Sequence, residues 1–169
     1  PARAGSTSLR LTLNKQPGAL VHGEILGPKN IHGVSNKLQG AGVNLAVRRN
    51  DRARFVSRLL DRDDFTVTGF KTIYEHFFNS SNAYYLNWIL SRDPKVVFLW
   101  RRNLVRRFKS DCLLRLAAGH FPDEKFQAVS EEKITMDARL QMEMAGWILQ
   151  MLATHGITPM KIDFEDLVA

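Results

Sequence analysis

Lys95-Val96-Val97-Phe98-Leu99-Trp100-Arg101-Arg102-Asn103 is the stretch that decides the fold. Its first part is an almost unbroken apolar run, not an alternating one. Such a run suits a parallel strand covered by helices on both faces. Asn103 follows at once and is expected to cap a helix running to about Ala118. Working outward, Phe65 to Phe70 alternates, is rich in β-formers and ends at Lys71, so it reads as a second strand. Ala19 to His22 reads as a short strand delivering Gly23-Glu24, and Ile157 to Phe164 as a last strand before the helical start Glu165-Asp166-Leu167. Helices are expected over Ser6 to about Lys15, Asn44 to about Arg62, Asn82 to Ser91, and about Met136 to His155. The first closes at Gln16-Pro17-Gly18 and the last at Gly156. Strands alternating with helices predict an α/β protein built on a parallel sheet.

A chain of 169 residues fits one domain with a sizeable core. No apolar run is long enough to span a bilayer. Cys112 is the sole cysteine, which excludes an internal disulfide and a cysteine-based zinc site. The single thiol and the lack of a targeting segment lean towards a cytoplasmic setting. The net charge is +7. Arginines cluster at Arg48, Arg49, Arg52, Arg54, Arg58 and Arg62, and again at Arg101, Arg102, Arg106 and Arg107. Clusters of this kind attract nucleic acid, an anionic membrane or a multiply charged small molecule, although a solvated helix face explains the first equally simply. Few aromatics interleave with the arginines, so nucleic acid is not the expected partner. Residues 25–43, with Gly27, Gly33, Gly40 and Gly42, read as a glycine-rich flexible loop of the kind that carries function.

The chain begins with Arg3-Ala4-Gly5-Ser6-Thr7-Ser8, directly before the apolar-periodic Leu9 to Leu13. A small residue and a glycine let the backbone close around an anion, and the free N–H groups of a helix start point at it. The three hydroxyls add donors, and Arg3 adds a planar charged fork suited to phosphate. The lysine and second glycine of a nucleoside triphosphatase loop, G-x-x-x-x-G-K-[ST], are missing. Such a loop normally leaves a buried strand, and none precedes Pro1. The first strand is therefore expected to be missing from a chain truncated at one or both ends. A second candidate anion site lies at Arg102, at the end of the Val96 to Trp100 strand, where open α/β sheets bind ligands. Ser110 follows Asn103 by seven residues, two helical turns, and shares that helix face. By themselves these two residues read more simply as an arginine paired with a carboxylate and a surface serine.

The ordered combination resembles the sulfotransferases that use 3′-phosphoadenosine 5′-phosphosulfate (PAPS), notably the carbohydrate, tyrosylprotein and bacterial types. Arg3, Gly5, Ser6 and Thr7 match the family's 5′-phosphosulfate loop, with Ala4 and Ser8 completing it. Arg102 and Ser110 match its 3′-phosphate motif. Lys161-Ile162-Asp163-Phe164-Glu165-Asp166-Leu167 is similar to the family's late strand ending in Y-E-D-L, with Phe164 in place of the tyrosine. The resemblance implies a P-loop-NTPase-like three-layer α/β/α fold spanning residues 1–169 as one domain. It also implies PAPS as co-substrate, 3′,5′-ADP as product, a hydroxyl-bearing carbohydrate, lipid-linked or peptide acceptor, and no metal. Whether the protein is a homodimer stays open.

Sulfuryl transfer needs a base, in-line geometry and positive charge around the leaving oxygen. The small-molecule members carry a histidine base in a K-T-H pattern, but here Lys71-Thr72 is followed by Ile73. Glu24 instead resembles the glutamate base of the other types, and a neighbouring anion strengthens a carboxylate as a base. Lys71 and Arg3 are the matching catalytic cations. His22, His32 and His76 read as structural or loop residues. Two other functions remain open: a nucleotide or metabolite kinase of P-loop fold, and a basic nucleic-acid-binding module.

Overall fold

The computed structural model describes residues 5–27, 44–117 and 130–167. Arg3, Ala4, His32, most of the glycine-rich 25–43 segment and the polar stretch around Pro122 lie outside the described residues. The protein is mixed α/β, rich in helix, and its strands pair in parallel. The chain divides into two compact units: Ser6–Arg92, and Asp93–Ala169 together with Pro1–Gly5. The four described strands form two parallel pairs, β1 with β2 and β3 with β4, one pair in each unit.

The Ser6–Arg92 unit contains α1 (Ser6–Leu13), β1 (Ala19–Glu24), α2 (Leu45–Asn50), α3 (Arg52–Leu60), β2 (Val67–Lys71), α4 (Tyr74–Phe77) and α5 (Ala83–Leu90). The register runs from Ala19 opposite Val67 to Glu24 opposite Lys71, with an irregularity between His22 and Glu24. The Asn14 carboxamide donates to the Val21 carbonyl (2.8 Å) and accepts from the Val21 N–H (2.6 Å), so one side chain satisfies both backbone groups of a strand residue. The core is Leu20, Ile25, Leu26, Phe55, Val56, Leu59, Tyr85 and Leu86, with Phe55 and Tyr85 edge to face at 6.0 Å.

The helix expected over Asn44 to Arg62 is instead two. Asn44 caps α2 by accepting the Val47 N–H (2.9 Å), and Asp51 leaves helical geometry to accept the Arg54 N–H (3.0 Å) and start α3. A short carboxylate competes well with the helical backbone, and capping α3 satisfies a donor that a continuous helix would leave to the ladder.

The second unit holds β3 (Val97–Trp100), α6 (Leu104–Ala117), α7 (Glu131–Thr154), β4 (Met160–Asp163) and α8 (Phe164–Leu167). β3 pairs with β4 from Val97 opposite Met160 to Trp100 opposite Asp163. Phe98 and Leu99 are buried, but Val97 is exposed, so the cover expected on both faces of β3 holds for only part of the run. Asn103 caps α6 through the Arg106 N–H at 2.9 Å, as its position predicts. α7 begins at Glu131, a turn or more before the expected Met136, because Ser130 caps it and Glu131 and Glu132 favour its positive end. It ends in a left-handed Gly156 (φ 70°), with Gly156 N–H bonded to Ala153 and Ile157 N–H bonded to Leu152. The buried Arg107 of α6 pairs with Asp137 of α7. Among the described residues, no helix is long and apolar enough to cross a membrane.

Candidate functional site

The carboxyl ends of two parallel strands set the site in the Ser6–Arg92 unit. Glu24 is the last residue of β1, Lys71 the last of β2, and the two are register partners. Lys71 Nζ lies 2.5 Å from Glu24 Oε1, and both side chains are only partly exposed. The same ammonium donates to Thr7 Oγ1 at 3.5 Å, in the first turn of α1. Thr7, Glu24 and Lys71, far apart in sequence, therefore meet at one sheet edge beside a helix N-terminus. Such an edge is where open α/β sheets bind anionic ligands. Ser6 is half-buried and Ser8 exposed, both in that turn.

Gly5, which leads into α1, has φ 78°, in the left-handed region that disfavours side chains. A Cβ built on it would also clash with the edge of the Phe164 ring. That ring also has a cationic neighbour, with the Arg101 guanidinium carbon 4.6 Å from its centroid. Phe164 thus limits residue 5 to glycine, a role its place in the late motif does not advertise. Gly5→Ala is expected to cost about 2–4 kcal/mol, combining left-handed strain with overpacking. Urea denaturation measures this. Phe164→Ala in the same chain should return the overpacking part and not the backbone part, whereas a neutral Gly5→Ala would contradict the contact.

Arg102 and Ser110 belong to the second unit. The Arg102 side chain is 58% exposed and engages three carboxylates: Asp166 at 2.8 Å, Asp163 at 3.4 Å and Glu165 at 4.0 Å. Glu165 also accepts from the backbone N–H groups of Arg102 and Asn103, each at 3.1 Å. Slight burial pushes the Glu165 carboxyl up, but those backbone donors and the Arg102 charge outweigh it and hold the group below its usual range. An incoming phosphate at Arg102 would have to displace these acids. Their spacing after the last strand, Asp163-Phe164-Glu165-Asp166, was the signal available in the sequence. Ser110 is half-buried on α6.

Two histidines are buried in the first unit. His22 on β1 bonds the Leu59 carbonyl through Nε2 at 3.1 Å, and its Nδ1 has no partner among the described residues. His76 on α4 bonds the Thr72 hydroxyl through Nδ1 at 3.2 Å, directly after Lys71. Burial lowers the pKa of both. For His22, the Leu59 bond opposes this, and the charges of Arg10 and Arg62 add to it. For His76, Glu24 and Glu75 oppose it, and Lys71 and Arg48 add to it. A folded pKa below the unfolded value means that the unfolded chain binds more protons once pH falls below about 6.5. This contribution to stability is therefore complete above that value and is lost as pH falls through it, at most about 1.4 kcal/mol per pH unit for each ring. Urea midpoints between pH 8 and 5.5 should fall on acidification, with a shallower fall in His22→Gln. A midpoint that stays level or rises would refute the assignment.

Among the described residues, no group of three or more His, Cys, Asp or Glu side chains is placed to hold a metal ion. No protein-family model, curated protein or solved structure matches this chain.

Proposed function

We propose that the chain is a sulfotransferase that moves the sulfuryl group of PAPS to an acceptor hydroxyl. The observation that carries this reading is the meeting of Thr7, Lys71 and Glu24 at the ends of two parallel strands, beside the start of α1. On this reading the Gly5–Ser8 turn, with Arg3 and Ala4, holds the 5′-phosphosulfate through backbone N–H groups and hydroxyls. Glu24 accepts the acceptor's proton as its oxygen attacks sulfur. The bond from sulfur to the bridging phosphate oxygen breaks, and 3′,5′-ADP leaves. Lys71, drawn from Glu24 to the bridging oxygen, offsets the charge that grows there. Arg102 and Ser110 take the 3′-phosphate, which competes with Asp163, Glu165 and Asp166 for the guanidinium. A P-loop-like three-layer fold is the finer fold that goes with this reading.

A thermal-shift comparison of 3′,5′-ADP with ATP, ADP and AMP tests the donor class. A ligand that binds only the native state raises the melting temperature by linkage. Selective stabilisation by 3′,5′-ADP is expected, and preference for ATP with magnesium would point to a kinase instead.

A further inference from the structure

Arg48 is a buried cation that no carboxylate among the described residues pairs with. It stands on α2 with 8% of its surface exposed. Its Nη1 donates to the Ile25 carbonyl at 2.7 Å, which places the guanidinium against the residue directly after Glu24. That backbone is held firmly. Asn82 donates to the carbonyls of Leu26 (3.2 Å) and His76 (3.1 Å), and the Tyr85 hydroxyl donates to the Arg48 carbonyl. No carboxylate among the described residues pairs with the guanidinium. The titratable groups that act on it or feel it are Tyr85, Arg49 and His76.

A guanidinium has five donors, and a buried charge ordinarily finds a partner because desolvating it alone costs several kcal/mol. Rules of this kind are broken mainly at functional sites. Two arginines of the same cluster have ordinary neighbours: Arg52 lies over Tyr84, and Arg62 is paired with Asp64.

We propose that Arg48 is an oxyanion-binding residue that takes the sulfate, phosphate or carboxylate group of an acidic acceptor. The acceptor assignment rests on the sulfotransferase reading; the oxyanion site itself does not. In an in-line displacement, donor and acceptor lie on opposite sides of sulfur, and the base belongs to the acceptor. The donor's 5′-phosphosulfate is assigned to the α1 turn and Lys71, and its 3′-phosphate to Arg102 and Ser110. Arg48 comes from a different helix and is bonded to the residue after the base, so it serves the acceptor.

The test uses the whole chain saturated with 3′,5′-ADP and titrated with inorganic sulfate against chloride at equal ionic strength. Calorimetry should show saturable sulfate binding that Arg48→Gln weakens by about ten-fold or more, the loss of one charge-assisted contact. Arg48→Lys should fall between the two, and 3′,5′-ADP affinity should not change. In the unmutated protein, the Nε–Hε resonance of Arg48 should move with sulfate and not with chloride. That measurement decides the matter if Arg48→Gln does not fold. An unmoved resonance, or equal sulfate binding by the Gln variant, overturns the site. A parallel loss of 3′,5′-ADP affinity overturns the acceptor assignment and moves Arg48 to the donor. If 3′,5′-ADP never binds while Arg48-dependent sulfate binding persists, the sulfotransferase reading fails and the oxyanion site stands.

Discussion

Under the proposed sulfotransferase function, replacing Glu24 with glutamine is expected to slow sulfuryl transfer about a thousand-fold while leaving 3′,5′-ADP affinity nearly intact. The amide is isosteric with the carboxylate, and its oxygen can still accept from Lys71, now 2.5 Å away, so the strand edge keeps its shape. What disappears is basicity. The acceptor hydroxyl would then have to lose its proton to water or go into the displacement protonated, which raises the barrier without affecting the bound donor. Single-turnover transfer from labelled PAPS reads the rate, and calorimetry with 3′,5′-ADP reads the donor site. Loss of donor binding with unchanged turnover would remove Glu24 from the base role.

Lys71→Met is expected to lower kcat about 100- to 1000-fold, the range for removing one donor from a site of developing charge. Methionine retains much of the aliphatic stem and deletes the ammonium. Two contacts go with it: the ion pair to Glu24 and the hydrogen bond to Thr7 at 3.5 Å. Because Lys71 and Glu24 act through one another, the losses in the Glu24→Gln, Lys71→Met double variant should be far from additive. Additive losses would place the two residues in independent roles, and full activity of Lys71→Met would exclude the lysine from the reaction.

The secondary structure was largely legible because its signals are local. Asn103, Gly18 and Gly156 punctuate the chain where their capping and turn chemistry says they should. The misses have local causes too. Asp51 reads as one more polar residue in an arginine-rich helix until its carboxylate is seen capping α3, and Ser130-Glu131-Glu132 is a helix start that the apolar period of α7 does not include. Burial was harder. Val97 belongs to a run that reads as a doubly covered strand, yet it is exposed, because the number of neighbours around a strand is not written in the strand.

Glu24, Lys71 and Thr7 are named as candidates through the resemblance of their motifs to the sulfotransferases. The partnership between them could not be named in that way, since it depends on a parallel register joining distant segments, and that register is set by which faces are buried. The same holds for charge. In sequence, Arg48 and Arg102 are two members of two basic clusters. The fold sends Arg102 into three carboxylates at the end of β4, and it buries Arg48 against a single carbonyl. Residue chemistry and element order are properties of neighbours along the chain. Which charge meets carboxylates and which meets only a carbonyl follows from packing, because only packing determines what each group meets once water is removed.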